Sequence, residues 1–116
     1  VMAERFWADF EAAPDDVLAQ LELVTWAARN QHEGQLARTI YISYEKALSQ
    51  VFTDALRVGR QSHPLSPEQI SRAFLVIIDG CALQYLADPS SAVPKQLLDA
   101  LLEGLWGQAR RATKAS

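Results

Sequence analysis

A single cysteine, Cys81, excludes an intrachain disulfide and any cysteine-based metal framework. Its place inside an apolar helical pattern reads as a buried structural thiol in a reducing compartment, with the cytoplasm as the expected location. Histidine is almost as scarce. His32 and His63 stand far apart in segments that read as exposed loops, and neither belongs to a Glu-x-x-His or His-x-x-x-His spacing, so no metal site is expected. The five glycines form no phosphate-cradling cluster, since Gly104 and Gly107 stand alone in the last helical pattern with no strand before them. Positive charge is also in deficit: 11 Lys and Arg against 14 Asp and Glu leave a net charge of −3, spread along the chain. Surfaces that track nucleic-acid phosphates gather cations on one face, so this chain by itself is not expected to bind DNA. No uncharged run reaches the roughly 18 residues that suggest a membrane span. Glu4, Arg5 and Asp9 occupy the stretch where a signal peptide would be apolar. No nucleophile stands beside a base, and neither an enzyme, a cofactor nor a membrane partner is expected.

What the chain does contain is helical punctuation. At 116 residues it is long enough for one domain, 1–116, with a core of its own. Five helical segments are predicted. The first, about Met2 to Ala13, begins without a cap. The second, roughly Asp15 to Asn30, follows Pro14, with Asp15 and Asp16 suited to the positive end of a helix dipole. The third and longest, from about Gln35, carries a stripe through Leu36, Ile40, Ala47, Val51 and Ala55, and Gly59 reads as its left-handed cap. Ser66-Pro67-Glu68-Gln69 has the spacing of a capping box and opens a fourth helix that reaches Ala87. The fifth, capped by Ser90 or Ser91, is rich in leucine and runs to about Ala109.

The fourth helix is too apolar for the surface of a monomer. Ala73-Phe74-Leu75-Val76-Ile77-Ile78 occupies every angular position, whereas a surface helix keeps a polar stripe. A partner subunit is the economical cover. Asp79, set in that apolar helix, reads as lying either at a water-facing edge or against a buried donor, the edge being preferred. Asp99 and Glu103, one turn apart, read as a like-charge pair on a solvated face.

The aromatics favour the first three segments. Trp7, Phe10, Trp26, Tyr41, Tyr44 and Phe52 combine apolar area with polar tips, as the wall of a cavity between bundle helices does, although an ordinary aromatic core uses the same residues. Trp7, Phe10, Trp26, Tyr41, Tyr44 and Leu48 are taken as the expected ligand wall.

In this order the features resemble the C-terminal ligand-binding and dimerisation domain of TetR-family transcriptional regulators. The likeness rests on Gly59 ending a long helix, the Ser66-Pro67-Glu68 start, the Asp79-Gly80 pair within the next helix, and the Asp88-Pro89 exit. It implies an all-α five-helix bundle in which the first three helices enclose an apolar or aromatic effector and the last two form a four-helix interface with a second copy. The contacts implied are Phe74, Ile77, Ile78, Cys81, Tyr85, Leu98, Leu101, Leu105 and Trp106. Such regulators reach DNA through an N-terminal helix-turn-helix module, which does not precede Val1 here, so a fragment is expected. Two other readings stay open: a dimerisation module with a filled core, and a free-standing carrier of an apolar ligand.

Overall fold

Local signals set most of the helix ends. The computed structural model describes residues 2–30, 32 and 34–112. Its elements are α1 (Met2–Ala12), α2 (Pro14–Arg29), α3 (Gly34–Val58), α4 (Pro67–Ala87) and α5 (Val93–Trp106), with two short strands, β1 (Gln61–Ser62) and β2 (Arg110–Arg111). The all-α class expected from the sequence is what forms. At the start of α4 the capping box is complete: Ser66 Oγ accepts the Gln69 N–H at 3.1 Å, and Gln69 Oε1 accepts the Ser66 N–H at 2.9 Å. Each side chain thus satisfies a backbone donor that a helix start leaves without an intrahelical partner, and this reciprocal pair holds the α4 entry.

Three boundaries differ from expectation. The left-handed residue after α3 is Arg60, with φ of 51°, and not Gly59. At position 59 a Cβ would lie 2.9 Å from Gln61 Oε1, the movable end of a side chain, and 3.3 Å from the Ala55 carbonyl oxygen, so a side chain there would be crowded but not excluded. Helix α5 starts at Val93 without a side-chain cap, because Ser90 instead closes a turn on Asp88 and Ser91 Oγ accepts the Val93 N–H. It also ends three residues before Ala109, where the chain leaves the helix to form β2.

That strand pairs antiparallel with β1, placing Gln61 opposite Arg111 and Ser62 opposite Arg110. The Ala112 N–H then donates to the Arg60 carbonyl at 2.9 Å. His63, expected to be an exposed loop residue, follows β1 directly and is half-buried. Its Nε2 donates to the Leu105 carbonyl at 2.8 Å while Nδ1 accepts the Leu65 N–H at 3.0 Å, an arrangement that requires the neutral Nε2–H tautomer.

Two adjoining apolar clusters form the core. The first packs Trp7 and Phe10 of α1 against Cys81 and Ala82 of α4 and Leu98 of α5. The second joins Phe52 of α3, Ile70 and Phe74 of α4, and Leu105 of α5. Phe6, Ile77, Ile78 and Leu102 touch both clusters. By length and hydropathy alone α4 would suit a membrane span. In the fold it lies between α3 and α5, with its two internal charged residues, Arg72 and Asp79, each bonded to a side chain of α3.

The molecule is flattened, with principal extents of 48 × 37 × 18 Å and a radius of gyration of 15.9 Å. A compact chain of this length has a radius of about 13 Å. Large faces of the helix layer are therefore uncovered.

Candidate functional site

A cleft of about 600 Å³ opens where α3, α4 and α5 meet the start of α1. Helix α3 supplies Val51, Phe52 and Ala55, one turn apart along a stripe, and α4 supplies Phe74. From α5 come Asp99, Leu102, Glu103 and Trp106, at the i, i+3, i+4, i+7 spacing of a single helix face, with Leu105 and Gly107 beside them. Ala3 closes one side.

The wall is aromatic and held by ring contacts. Phe52 meets Phe74 edge-on at 5.7 Å and lies 6.0 Å from the Trp106 ring, while Phe6 backs Phe74 at 5.2 Å. The His63 ring sits 6.4 Å from Trp106 and is anchored to the Leu105 carbonyl, so it backs this wall. Such edge and offset contacts each add about 0.5–1.5 kcal/mol beyond area burial, which favours a pre-formed surface. Asp99 and Glu103 stand on the same wall with exposed side chains.

A polar seam runs between α3 and α4 along successive turns of α3. Tyr41 Oη donates to Asp79 Oδ2 at 2.5 Å, Glu45 Oε1 accepts from Arg72 Nε at 3.1 Å, and the Ser49 and Ser71 hydroxyls lie 3.3 Å apart. The Arg72 guanidinium also lies 5.7 Å from the centre of the Tyr41 ring. Burial, reinforced by the bond to Asp79, pushes the Tyr41 hydroxyl up to about 12. Burial likewise raises Asp79 above the usual carboxylate range, against the opposing effect of the Tyr41 hydrogen bond. The edge reading of Asp79 is thus replaced by a half-buried carboxylate with a donor from α3.

The structure does not bring the six residues of the expected ligand wall into one cavity. Trp7 and Phe10 are buried in the first core cluster, where Trp7 packs edge-on against Tyr85 at 5.0 Å. Helix α1 contacts α2 and α5, and the cluster that holds these rings includes no residue of α3, the helix of Tyr41 and Tyr44. Tyr44 accepts a hydrogen bond from Gln20 at the surface, Trp26 is 52% exposed, and Leu48 packs on the second cluster. Of the aromatics singled out from the sequence, Phe52 reaches the cleft, as do Phe74 and Trp106, which were expected at the dimer interface.

The residues implied as dimer contacts also divide. Phe74, Cys81, Leu98 and Leu105 are buried within the chain, Leu98 completely, and have almost no surface to offer a second copy. Ile77, Ile78, Tyr85 and Trp106 are half-buried, and Leu101 is exposed. The exposed large apolar residues of these two helices are instead Val76 and Leu83 on α4 and Val93, Leu97 and Leu101 on α5. Added side-chain atoms at Gly80 or Gly104 would meet nothing within 4 Å. Burial raises the Cys81 thiol above its ordinary value, which suits an inert core residue.

Among the described residues no group of His, Cys, Asp and Glu could hold a metal ion.

No solved structure matches the chain. Over 100 residues, 86% of this chain and 50% of the relative, it is 43% identical to the HTH-type nicotine-responsive transcriptional repressor HdnoR of Paenarthrobacter nicotinovorans. The chain therefore spans about half the length of that curated relative. A family model described as the C-terminal region of BetI-type transcriptional repressors matches residues 2–108. With nearly every described residue inside that match, on a five-helix all-α fold, the chain belongs to the family of BetI-type transcriptional repressor C-terminal domains.

Proposed function

We propose that residues 1–116 form one effector-sensing and dimerising domain of a cytoplasmic repressor, without catalytic activity of its own, whose DNA contacts are made by an N-terminal module. The observation that carries this reading is the two-sidedness of α5. One face brings Leu102, Leu105 and Trp106 to the cleft, while Leu97 and Leu101 are exposed, as are Val76 and Leu83 of the neighbouring α4. A small apolar or aromatic effector seated in the cleft would thus press on the helix that meets the second copy. Differential affinity for two positions of that helix is the requirement for coupling. The relative's name describes a repressor that answers to a small aromatic molecule, which fits a domain of this design.

The uncovered surface supports the dimer. The chain exposes 8107 Å², whereas a folded monomer of its mass exposes about 6,300 Å². The second copy is proposed to pack on the Val76, Leu83, Leu97 and Leu101 strip, giving a four-helix interface in which Gly80 and Gly104 let the backbones approach. A dimerisation module with a filled core fits less well, because the aromatic cleft is open.

Light scattering after gel filtration tests the assembly. A dimer is expected for the wild type at micromolar concentration and a monomer for Leu101→Asp, whose charge would be buried without a partner. A monomeric wild type overturns the reading.

A further inference from the structure

We infer that a second cavity, at the turn between α4 and α5, binds a small zwitterion of the α-amino acid type, with its carboxylate on the α5 side and its ammonium toward α1. This cavity has a volume of about 400 Å³ and shares no lining residue with the cleft. It lies at the other end of α5. Trp7 and Glu11 come from successive turns of α1, Tyr85 from the last turn of α4, Ser91 and Ala92 from the connecting turn, and Lys95 from the first turn of α5. A ligand seated there bridges α1 to the start of α5, so the inference does not depend on the cleft being an effector site.

Trp7 carries the inference. The residue is 5% exposed, and its indole N–H has no hydrogen-bond partner among the described residues. None of their buried side-chain nitrogens or oxygens is both sealed from solvent and unpartnered, so this N–H opens to the surface, and Trp7 lines the cavity. Indole nitrogen only donates, so the missing group is an acceptor. Edge-on contacts with Phe10 at 5.9 Å and Tyr85 at 5.0 Å hold the ring in place. Further donors join it. Ser91 Oγ accepts the Val93 N–H at 3.2 Å and keeps its own O–H to give. Helix α5 starts without a side-chain cap, which leaves the Lys95 N–H without an intrahelical acceptor and presents the positive end of the helix dipole. With the Lys95 ammonium, these groups suit a carboxylate.

A plain anion would also meet Glu11. The ion pairs among the described residues join Arg57 to Asp54 and Arg72 to Glu45, so Glu11 on α1 and Lys95 on α5 line one cavity without pairing across it. A ligand that carries both charges answers both, whereas an acid or an amine alone leaves one unanswered. Glu11 and Lys95 are exposed, so each sets selectivity with a modest, salt-dependent weight.

The test compares L-phenylalanine with 3-phenylpropanoate and 2-phenylethylamine, which lack its ammonium and its carboxylate respectively. Each is titrated into this chain at neutral pH, and two-dimensional spectra follow the Trp7 indole N–H and the amides of Ser91 to Lys95. Phenylalanine is expected to shift these signals saturably and to bind about fivefold more tightly than either analogue, the upper weight of one exposed ion pair. Lys95→Gln should remove its advantage over the amine, and Glu11→Gln its advantage over the acid. Both positions are exposed, and unaltered thermal unfolding will confirm that the variants keep their fold. Equal binding of phenylalanine and 3-phenylpropanoate marks a simple anion site and overturns the zwitterion assignment, as does a preference that survives both variants. Shifts confined to Phe52 and Trp106, or none at Trp7 and Lys95, overturn the cavity as a site and leave the effector cleft untouched.

Discussion

Tyr41 and Asp79, 38 positions apart in the chain, share a hydrogen bond of 2.5 Å that ties the first half of α3 to the middle of α4. The bond joins an aromatic hydroxyl that burial holds protonated to a carboxylate whose ionisation burial opposes. Asp79 precedes Gly80 and lies midway between Val76 and Leu83, so the bond fixes α4 at the level of its exposed apolar residues.

Removing the donor should therefore be costly. Tyr41→Phe leaves the half-buried Asp79 carboxylate without its partner and should lower stability by about 1–2 kcal/mol in urea unfolding. The sign with pH follows from the raised folded-state value of Asp79. The native state keeps a proton there that the unfolded chain releases above 3.8, so this group's contribution is favourable at low pH and declines as pH rises from that value. Asp79→Asn keeps an acceptor for Tyr41 and should flatten that decline. A variant with the same pH slope as the wild type would show that Asp79 ionises as freely in the native state as in the unfolded chain.

Neighbouring leucines on α5 should behave in opposite ways. Leu98, fully buried, should cost about 2–5 kcal/mol of folding stability when changed to alanine. Leu101→Ala, at a 47% exposed position, should barely alter unfolding when the chain is dilute, yet should weaken self-association. Concentration-dependent melting separates the two effects.

His63→Phe should loosen the ribbon. It removes one donor and one acceptor at a half-buried position, from the Leu105 carbonyl and the Leu65 N–H, and should cost about 1–3 kcal/mol. Faster amide exchange at Leu65 and along β1–β2 is the expected local signature, with exchange in α2 unchanged.

Cys81 should resist thiol reagents in the native state, because it is 4% exposed and burial disfavours the thiolate. Its labelling rate should follow global unfolding across a denaturant series. Fast stoichiometric labelling without denaturant would place the thiol outside the core.

The parts of this fold that were legible in the sequence are those written by local chemistry. Ser66, Pro67 and Gln69 announce the start of α4 by a cap that needs no tertiary partner, and Pro14 does the same for α2. The wall of the cleft was not legible, because the apolar face of α5 is broad. Leu97, Leu98, Leu101, Leu102 and Leu105 all fall on that one face, so periodicity does not separate those that meet the core from those at its exposed edge. The direction of α1 was hidden for a related reason. Trp7 and Phe10 mark an inward face, but the choice between α3 and the α4–α5 pair depends on how the helices cross. The two-residue strands carry no alternation to read, and with them went His63, which looked like a loop residue until Arg110 and Arg111 were seen beside it. Asp99 and Glu103 were read as a solvated pair; they are indeed exposed, and what the sequence does not display is the aromatic surface next to them.

The β1–β2 ribbon also orders events in time. Gln61 finds its partner only when Arg111 is available, fifty residues later, so during synthesis α1 to α4 leave the ribosome before the clasp can close. Until then Phe52 and Phe74 lack Leu105 and Trp106, and the apolar floor of the cleft is open to other chains. Leu105 and Trp106 are thus translated after the surface they cover, and a ribosome that stalls before Leu105 would release a chain with α1 to α4 formed and that surface bare.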